Sequence, residues 1–151
     1  MGVSTDGQIC FGNVYEEEFE FPWGDNDEGI EGWWRSQNGF VDSIHDEKGD
    51  WINGVKPTDE QYREYWKSQR EFDAIHPLPV ALVNYCSGEY PMWIIAVPSS
   101  CRSNSRGEAL AFDPSELTVT DAEVEALKEF CVKYELIPAE GPGWYLTSYW
   151  G

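Results

Sequence analysis

With 151 residues, 41% of them hydrophobic and 15% aromatic, the chain carries enough apolar material for the core of one domain, which excludes a disordered chain. Its 28 acids against ten lysines and arginines give a formal net charge of −18, a surface that repels DNA, RNA and anionic membranes and attracts basic proteins. No apolar leader opens the sequence and no apolar run approaches the ~20 residues of a membrane span, so one cytoplasmic α+β domain over residues 1–151 is expected, away from any membrane.

In chain order, residues 7–12 and 15–21 read as a strand pair turning at Gly12-Asn13. In the second of these, Tyr15, Phe19 and Phe21 alternate with Glu16, Glu18 and Glu20, the period of a half-buried strand. Alternate strand residues lie roughly 6.6 Å apart on one face, so a rigid row of carboxylates can occupy a groove built for a nucleic acid, whose charges also repeat at short intervals. Asp25, Asp27, Glu28 and Glu31 continue the row, and no basic residue precedes Arg35. Two readings stay open: a partner-binding surface, since blocks of like charge are often interaction surfaces, or a solvated face whose charge protects a sheet edge. Asp25-Asn-Asp-Glu-Gly29 is not a calcium loop, because Gly29, Ile30 and Ser36 occupy its fifth, sixth and twelfth positions, where an oxygen ligand, Gly and Glu are required. Adjacent residues of a helix or strand cannot both face inward, so one of Trp33 and Trp34 is expected at the surface, as an anchor for a partner.

Residues 40–55 read as a hairpin turning at residues 46–49. Two segments carry helix signatures: Thr58 and Gln61, then Thr120 and Glu123, have capping-box spacing. Each opens a 3.6-residue apolar stripe, Tyr62, Tyr65, Trp66, Gln69 and Phe72 in one and Val124, Leu127, Phe130, Cys131 and Tyr134 in the other. Helices over residues 58–75 and 120–135 follow, stopped by Pro77 and Pro138. Residues 79–85 and 92–97 read as a hairpin, and 108–112 and 144–150 as further strands. The expected fold is a mostly antiparallel sheet with the two main helices packed on one side.

Residues 98–107 read as a polar loop of ten residues, longer than the usual ~4–6. Arg102 and Arg106 make it a candidate anion site, and Cys101 beside Arg102 a thiol of lowered pKa; a plain surface loop is the structural alternative. Cys10, Cys86, Cys101 and Cys131 contain no C-x-x-C pair, and reduced thiols are expected. His45 and His76 stand apart with no metal-ligand spacing. No catalytic residue, cofactor or metal is expected, and a binding protein is preferred to an enzyme.

The residues Gly2-Val-Ser-Thr-Asp-Gly-Gln-Ile-Cys-Phe-Gly12, Glu16-Glu-Glu-Phe-Glu-Phe-Pro-Trp23 and Ile30-Glu-Gly-Trp-Trp34 resemble small acidic proteins of tailed bacteriophages and prophages. So do Leu82-Val-Asn-Tyr-Cys86, Tyr90-Pro-Met92 and the ending Ser148-Tyr-Trp150. The resemblance implies a setting and no catalytic residue: small phage accessory proteins commonly bind and block a host protein. The leading expectation is an inhibitor of a basic, nucleic-acid-binding host defence protein, by nucleic-acid mimicry. It would act through Glu16, Glu18, Glu20, Asp25, Asp27, Glu28, Glu31, Trp33 and Trp34. The alternatives are an immunity-type inhibitor of a toxin, a small enzyme or ligand-binding protein holding an anionic metabolite in a Trp-lined pocket, and a virion component. The oligomeric state is open.

Overall fold

The computed structural model describes residues 5–151 and has an α+β fold with a mostly antiparallel five-stranded sheet. The chain divides into two compact units, one running to Phe21 and resuming over Pro79–Gly151, the other Pro22–Leu78. Gly2, Val3 and Ser4, at the start of the residues on which a resemblance is expected, lie outside the described residues.

Among the described residues, the first unit contains every strand: β1 (Thr5–Val14), β2 (Ala81–Ser87), β3 (Pro91–Ala96), β4 (Arg102–Asn104) and β5 (Glu140–Trp150). β1 organises them. One of its edges pairs with β5 along almost its whole length; the other takes β4 opposite residues 7–9 and β3 opposite residues 12–14. β2 pairs with β3 as a hairpin and meets the end of β5 in parallel, so β1, β5, β2 and β3 form a closed ring of pairings, a device that removes sheet edges. The approach of β1 to β3 requires Gly12, where a Cβ would collide with the backbone of Ile95 and Ala96. The β1–β5 register shifts between Gly12 and Val14, where Pro142 is tolerated because a bulge needs no ladder donor. Inside the ring, Cys10, Ile94 and Ala96 are almost wholly buried and pack with Val14, Val83, Tyr85, Cys101 and Tyr145. On the outer face, Phe11 meets its cross-strand partner Trp144 edge-on at 5.6 Å.

The helix of this unit, α3 (Asp121–Lys133), begins as the sequence requires. Thr120 accepts from the Glu123 N–H at 3.1 Å, and Glu123 accepts from the Thr120 N–H at 3.2 Å. Leu127, Phe130 and Cys131 are buried as the stripe predicts. Its end is not set by Pro138. Leu136 N–H donates to Cys131 O at 2.8 Å and Glu135 N–H to Val132 O at 3.3 Å, a Schellman motif with Glu135 in the left-handed region at φ 57°.

The second unit holds α1 (Gly29–Gln37) and α2 (Asp59–Ile75). α2 has the capping box at Thr58 and Gln61 and buries Tyr65 and Gln69, while Trp66 turns outward. α1 is a helix the sequence reading omits: its N-cap, Glu28, makes no side-chain cap. Its end is legible, since Gly39 at φ 81° closes a Schellman motif through Gly39 N–H to Ser36 O and Phe40 N–H to Arg35 O. The expected hairpin over residues 40–55 reduces to a turn at residues 46–49 and a single bridge between His45 and Trp51. Residues 108–112, expected as a strand, form none, and Leu110 and Phe112 are exposed. Among the described residues, no helix is long and apolar enough to cross a membrane.

Candidate functional site

The acidic stretch is divided in sequence, with Glu16, Glu18 and Glu20 belonging to the first unit and Asp25, Asp27, Glu28 and Glu31 to the second. Residues 15–21 are not a strand. β1 is paired on both edges, so the chain leaving it has no ladder to join and turns instead, with Phe19 N–H bonded to Glu16 O at 3.0 Å. The sidedness predicted by alternation survives without the strand. Tyr15, Phe19 and Phe21 gather into a ring cluster with centroids 4.9–5.2 Å apart, while Glu16, Glu17, Glu18 and Glu20 are exposed. Tyr15 anchors the cluster, fully buried with its hydroxyl donating to Leu136 O at 3.0 Å. Burial, with the Cys131 thiol alongside, pushes that phenol well above its ordinary pKa. The loss of the strand removes the regular carboxylate spacing expected of a nucleic-acid mimic. In its place is a depression of about 460 Å³ lined by Glu16, Glu18 and Glu20 together with Phe19, Ile137, Pro138 and Ala139. Ile137 is 76% exposed. Among the described residues, none of these three glutamates makes an ion pair.

In the second unit, Asp25, Asp27 and Glu31 are exposed and also make no ion pair among the described residues, but Glu28 is engaged. Arg35 contacts Glu28 at 2.5 Å and holds Asp73 with two parallel bonds of 2.8 and 2.9 Å, the fork geometry suited to a carboxylate. The Asp73 hydrogen bonds raise the Arg35 pKa against the opposing effect of burial. Neither tryptophan is a free anchor. Trp33 is buried and packs on Trp23 at 5.1 Å, and Trp34 is half-buried with its Nε1–H donating to His76 O at 3.0 Å.

This unit also contains a connected polar site that sequence reasoning missed. Gln69 Nε2 donates to the Tyr65 hydroxyl at 3.1 Å, the hydroxyl donates to Asp42 Oδ2 at 3.3 Å, and His45 Nδ1 lies 3.0 Å from the same oxygen. Burial opposes the charge of Asp42, but the N–H groups of Ile44 and His45 and the His45 ring outweigh it and hold the carboxyl below its usual range. Burial and the negative charges of Asp42 and Glu28 push the Tyr65 phenol up to about 12. These groups line a cavity of about 550 Å³ with Asp25, Asp27, Glu28 and Arg35, and Trp51 stacks on His45 at 4.8 Å. The sequence signal was present but dispersed: Tyr65 and Gln69 are one helical turn apart on the buried stripe, and a buried Gln demands a partner.

Residues 98–107 are not an open loop. Pro98–Ser100 forms a 3₁₀ turn and Arg102–Asn104 forms β4. Ser100 is buried, accepting from Phe11 N–H at 2.9 Å and donating to Val97 O at 2.6 Å. Arg102 is exposed and uses one nitrogen on Ser99 O and Cys101 O, both at 2.9 Å. The cavity containing Arg102 includes neither Arg106 nor a tryptophan in its lining, which leaves a Trp-lined anion pocket on these two arginines without geometric support. Cys101 does carry a lowered pKa, about 7, and the thiol of Cys10 lowers it most; burial opposes, and Ser100 and Arg102 lower it further. No protein-family model, curated protein or solved structure matches the chain.

Proposed function

We propose that this chain is an acidic protein-binding module that docks on a basic surface of a partner, with Glu16, Glu18 and Glu20 together with Phe19, Ile137 and Pro138 as its contact. The observation that supports this reading is that exposed carboxylates, without ion pairs among the described residues, line one depression together with apolar residues that include the exposed Ile137. Protein interfaces combine a desolvated apolar centre with a polar rim, and complementary charge speeds encounter and rejects wrong partners. Asp25, Asp27 and Glu31 add to the attractive field, whereas Glu28, Trp33 and Trp34 serve the interior of their own unit. In the phage or prophage setting that the sequence resembles, the partner is a basic host protein that binds nucleic acid, and the module inhibits it by occupying that surface.

Affinity capture from bacterial lysate tests this. Wild-type protein is expected to retain a basic nucleic-acid-binding protein, and a variant with Glu16, Glu18 and Glu20 changed to Lys to lose it. Added DNA or RNA should release the partner, and salt should weaken the complex as screening shortens to about 8 Å at physiological ionic strength. Equal retention by both proteins overturns the reading.

A second reading rests on the Gln69–Tyr65–Asp42–His45 chain: a pocket for a cationic or neutral polar small molecule. The predominance of carboxylates in its lining disfavours an anionic metabolite.

A further inference from the structure

The register of β1 and β4 pairs Gly7 with Asn104, Gln8 with Ser103 and Ile9 with Arg102. Cys101 immediately precedes β4, so continuing that register by one step would bring Cys10 opposite it. Directly opposed residues of antiparallel strands have Cα atoms about 4.5–5.5 Å apart, inside the roughly 4.4–6.8 Å that a disulfide spans. The two side chains pack in one cluster with Ile94 and Ala96, and the Cys101 thiol donates to Val97 O at 3.7 Å.

The pair is asymmetric. Cys10 is 1% exposed, whereas Cys101 is half-buried, and both line a cavity of about 430 Å³. The neighbouring Cys10 thiol lowers the Cys101 pKa to about 7, and the Cys10 pKa is raised in turn. The lowered pKa favours the thiolate, the nucleophilic form, on Cys101 over Cys10. A reactive outer thiol backed by a buried partner is the arrangement of a sulfur that attacks and one that resolves. Among the described residues, the side-chain oxygens of Gln8 and Asn84, both residues of the cavity lining, are buried without a hydrogen-bond partner, and buried polar groups normally have one.

We propose that Cys10 and Cys101 are a redox-active dithiol, which a low-molecular-weight peptide disulfide of the glutathione type converts reversibly into a cross-strand disulfide joining β1 to the start of β4. In the first step the Cys101 thiolate attacks one sulfur of the small disulfide. The S–S bond breaks, one small thiolate leaves and a mixed disulfide forms on Cys101. In the second, Cys10 gives up its proton to the released thiolate or to solvent and attacks Cys101 Sγ, expelling the second small thiol. Two protein thiols lose two electrons and two protons, and one small disulfide becomes two thiols. Excess reduced glutathione reverses both steps.

The test treats the reduced protein with oxidised glutathione and maps its peptides by mass spectrometry. Cys86, which is exposed, is replaced by Ser in a parallel sample so that its own adduct does not obscure the mass. The expected product has lost two hydrogens, has Cys10 linked to Cys101, and returns to the dithiol with reduced glutathione. Its rate of formation should rise with pH through about 7, following the Cys101 thiolate. Cys10→Ser should instead accumulate a stable mixed disulfide on Cys101, and Cys101→Ser should leave Cys10 unmodified. A stable glutathione adduct on Cys101 without linkage to Cys10 in the otherwise native chain overturns the proposal, as does modification confined to Cys86. Both results come from proteins that retain the native pair, so neither depends on the folding of a core variant.

Discussion

In the sheet unit the most deeply buried side chains are mostly aliphatic or sulfur-bearing, with Cys10, Ile94, Ile95, Ala96, Leu127 and Leu136 among them. The helical unit buries Trp23, Trp33, Tyr65 and Gln69, and runs a line of hydrogen bonds from Gln69 to His45. One interior depends on volume and backbone pairing, the other on polar partners being present. The acidic surfaces differ in the same sense. Beside the sheet, Glu16, Glu18 and Glu20 are uncommitted, whereas in the helical unit Glu28 is held by Arg35.

The largest test of this contrast is a pair of core substitutions. Ile94→Ala, at a site with no exposure, should cost about 2–5 kcal/mol through lost burial and the cavity left behind. Gln69→Leu keeps similar volume but removes the donor to Tyr65, and should cost about 1–3 kcal/mol. Urea unfolding measures both. If Gln69→Leu proved neutral, the polar line would be incidental to the stability of its unit.

A smaller test compares two helix ends. α1 and α3 finish on the same Schellman motif, but the left-handed position is Gly39 in one and Glu135 in the other. A non-glycine residue in that conformation costs about 1–2 kcal/mol, partly offset by the entropy that glycine loses on folding. Glu135→Gly should therefore stabilise the protein by roughly 0.5–1 kcal/mol, and Gly39→Ala should destabilise it by a similar amount or more. Thermal unfolding of the two variants should move in opposite directions.

The smallest effect concerns pH. The Tyr65 phenol rises from 10.0 to about 12, so the folded state retains a proton there that the unfolded state gives up. Its contribution to stability is complete below pH about 10 and falls away as pH rises toward about 12. The ultraviolet titration of wild type minus Tyr65→Phe should show one phenol ionising near pH 12; ionisation near 10 would mean that neither burial nor the Asp42 and Glu28 charges raise it.

What was legible in the sequence was local. The capping boxes at Thr58 and Thr120 satisfy their N–H groups within four residues, and the β2–β3 hairpin needs only a short turn, so both follow from short-range pattern. β1 could not be assigned its partner, because β5 lies more than a hundred residues away and no local signal names it. Residues 15–21 have strand periodicity, but their aromatics cluster among themselves once β1 has no free edge. β4 is Arg-Ser-Asn, a tripeptide without strand propensity that is extended because it pairs with β1. The Cys10–Cys101 pair follows from that register and was invisible for the same reason, although Cys101 itself stood out beside Arg102. The polar line of the helical unit depends on bringing Asp42 and His45 to the buried face of α2, which sequence spacing does not show.

The central claim is that Glu16, Glu18 and Glu20 form a contact rather than a general field, and two triple reversals separate these directly. Changing Glu16, Glu18 and Glu20 to Lys alters net charge by the same amount as changing Asp25, Asp27 and Glu31 to Lys, so long-range attraction is matched. Each reversal is an exposed substitution expected to alter stability within ~0.5 kcal/mol. Calorimetric titration with the captured basic partner at physiological salt should show the first variant weakened at least about tenfold more than the second, a difference of ~1.4 kcal/mol or more. Equal losses, or no loss in either, would contradict a docking surface centred on Phe19, Ile137 and Pro138.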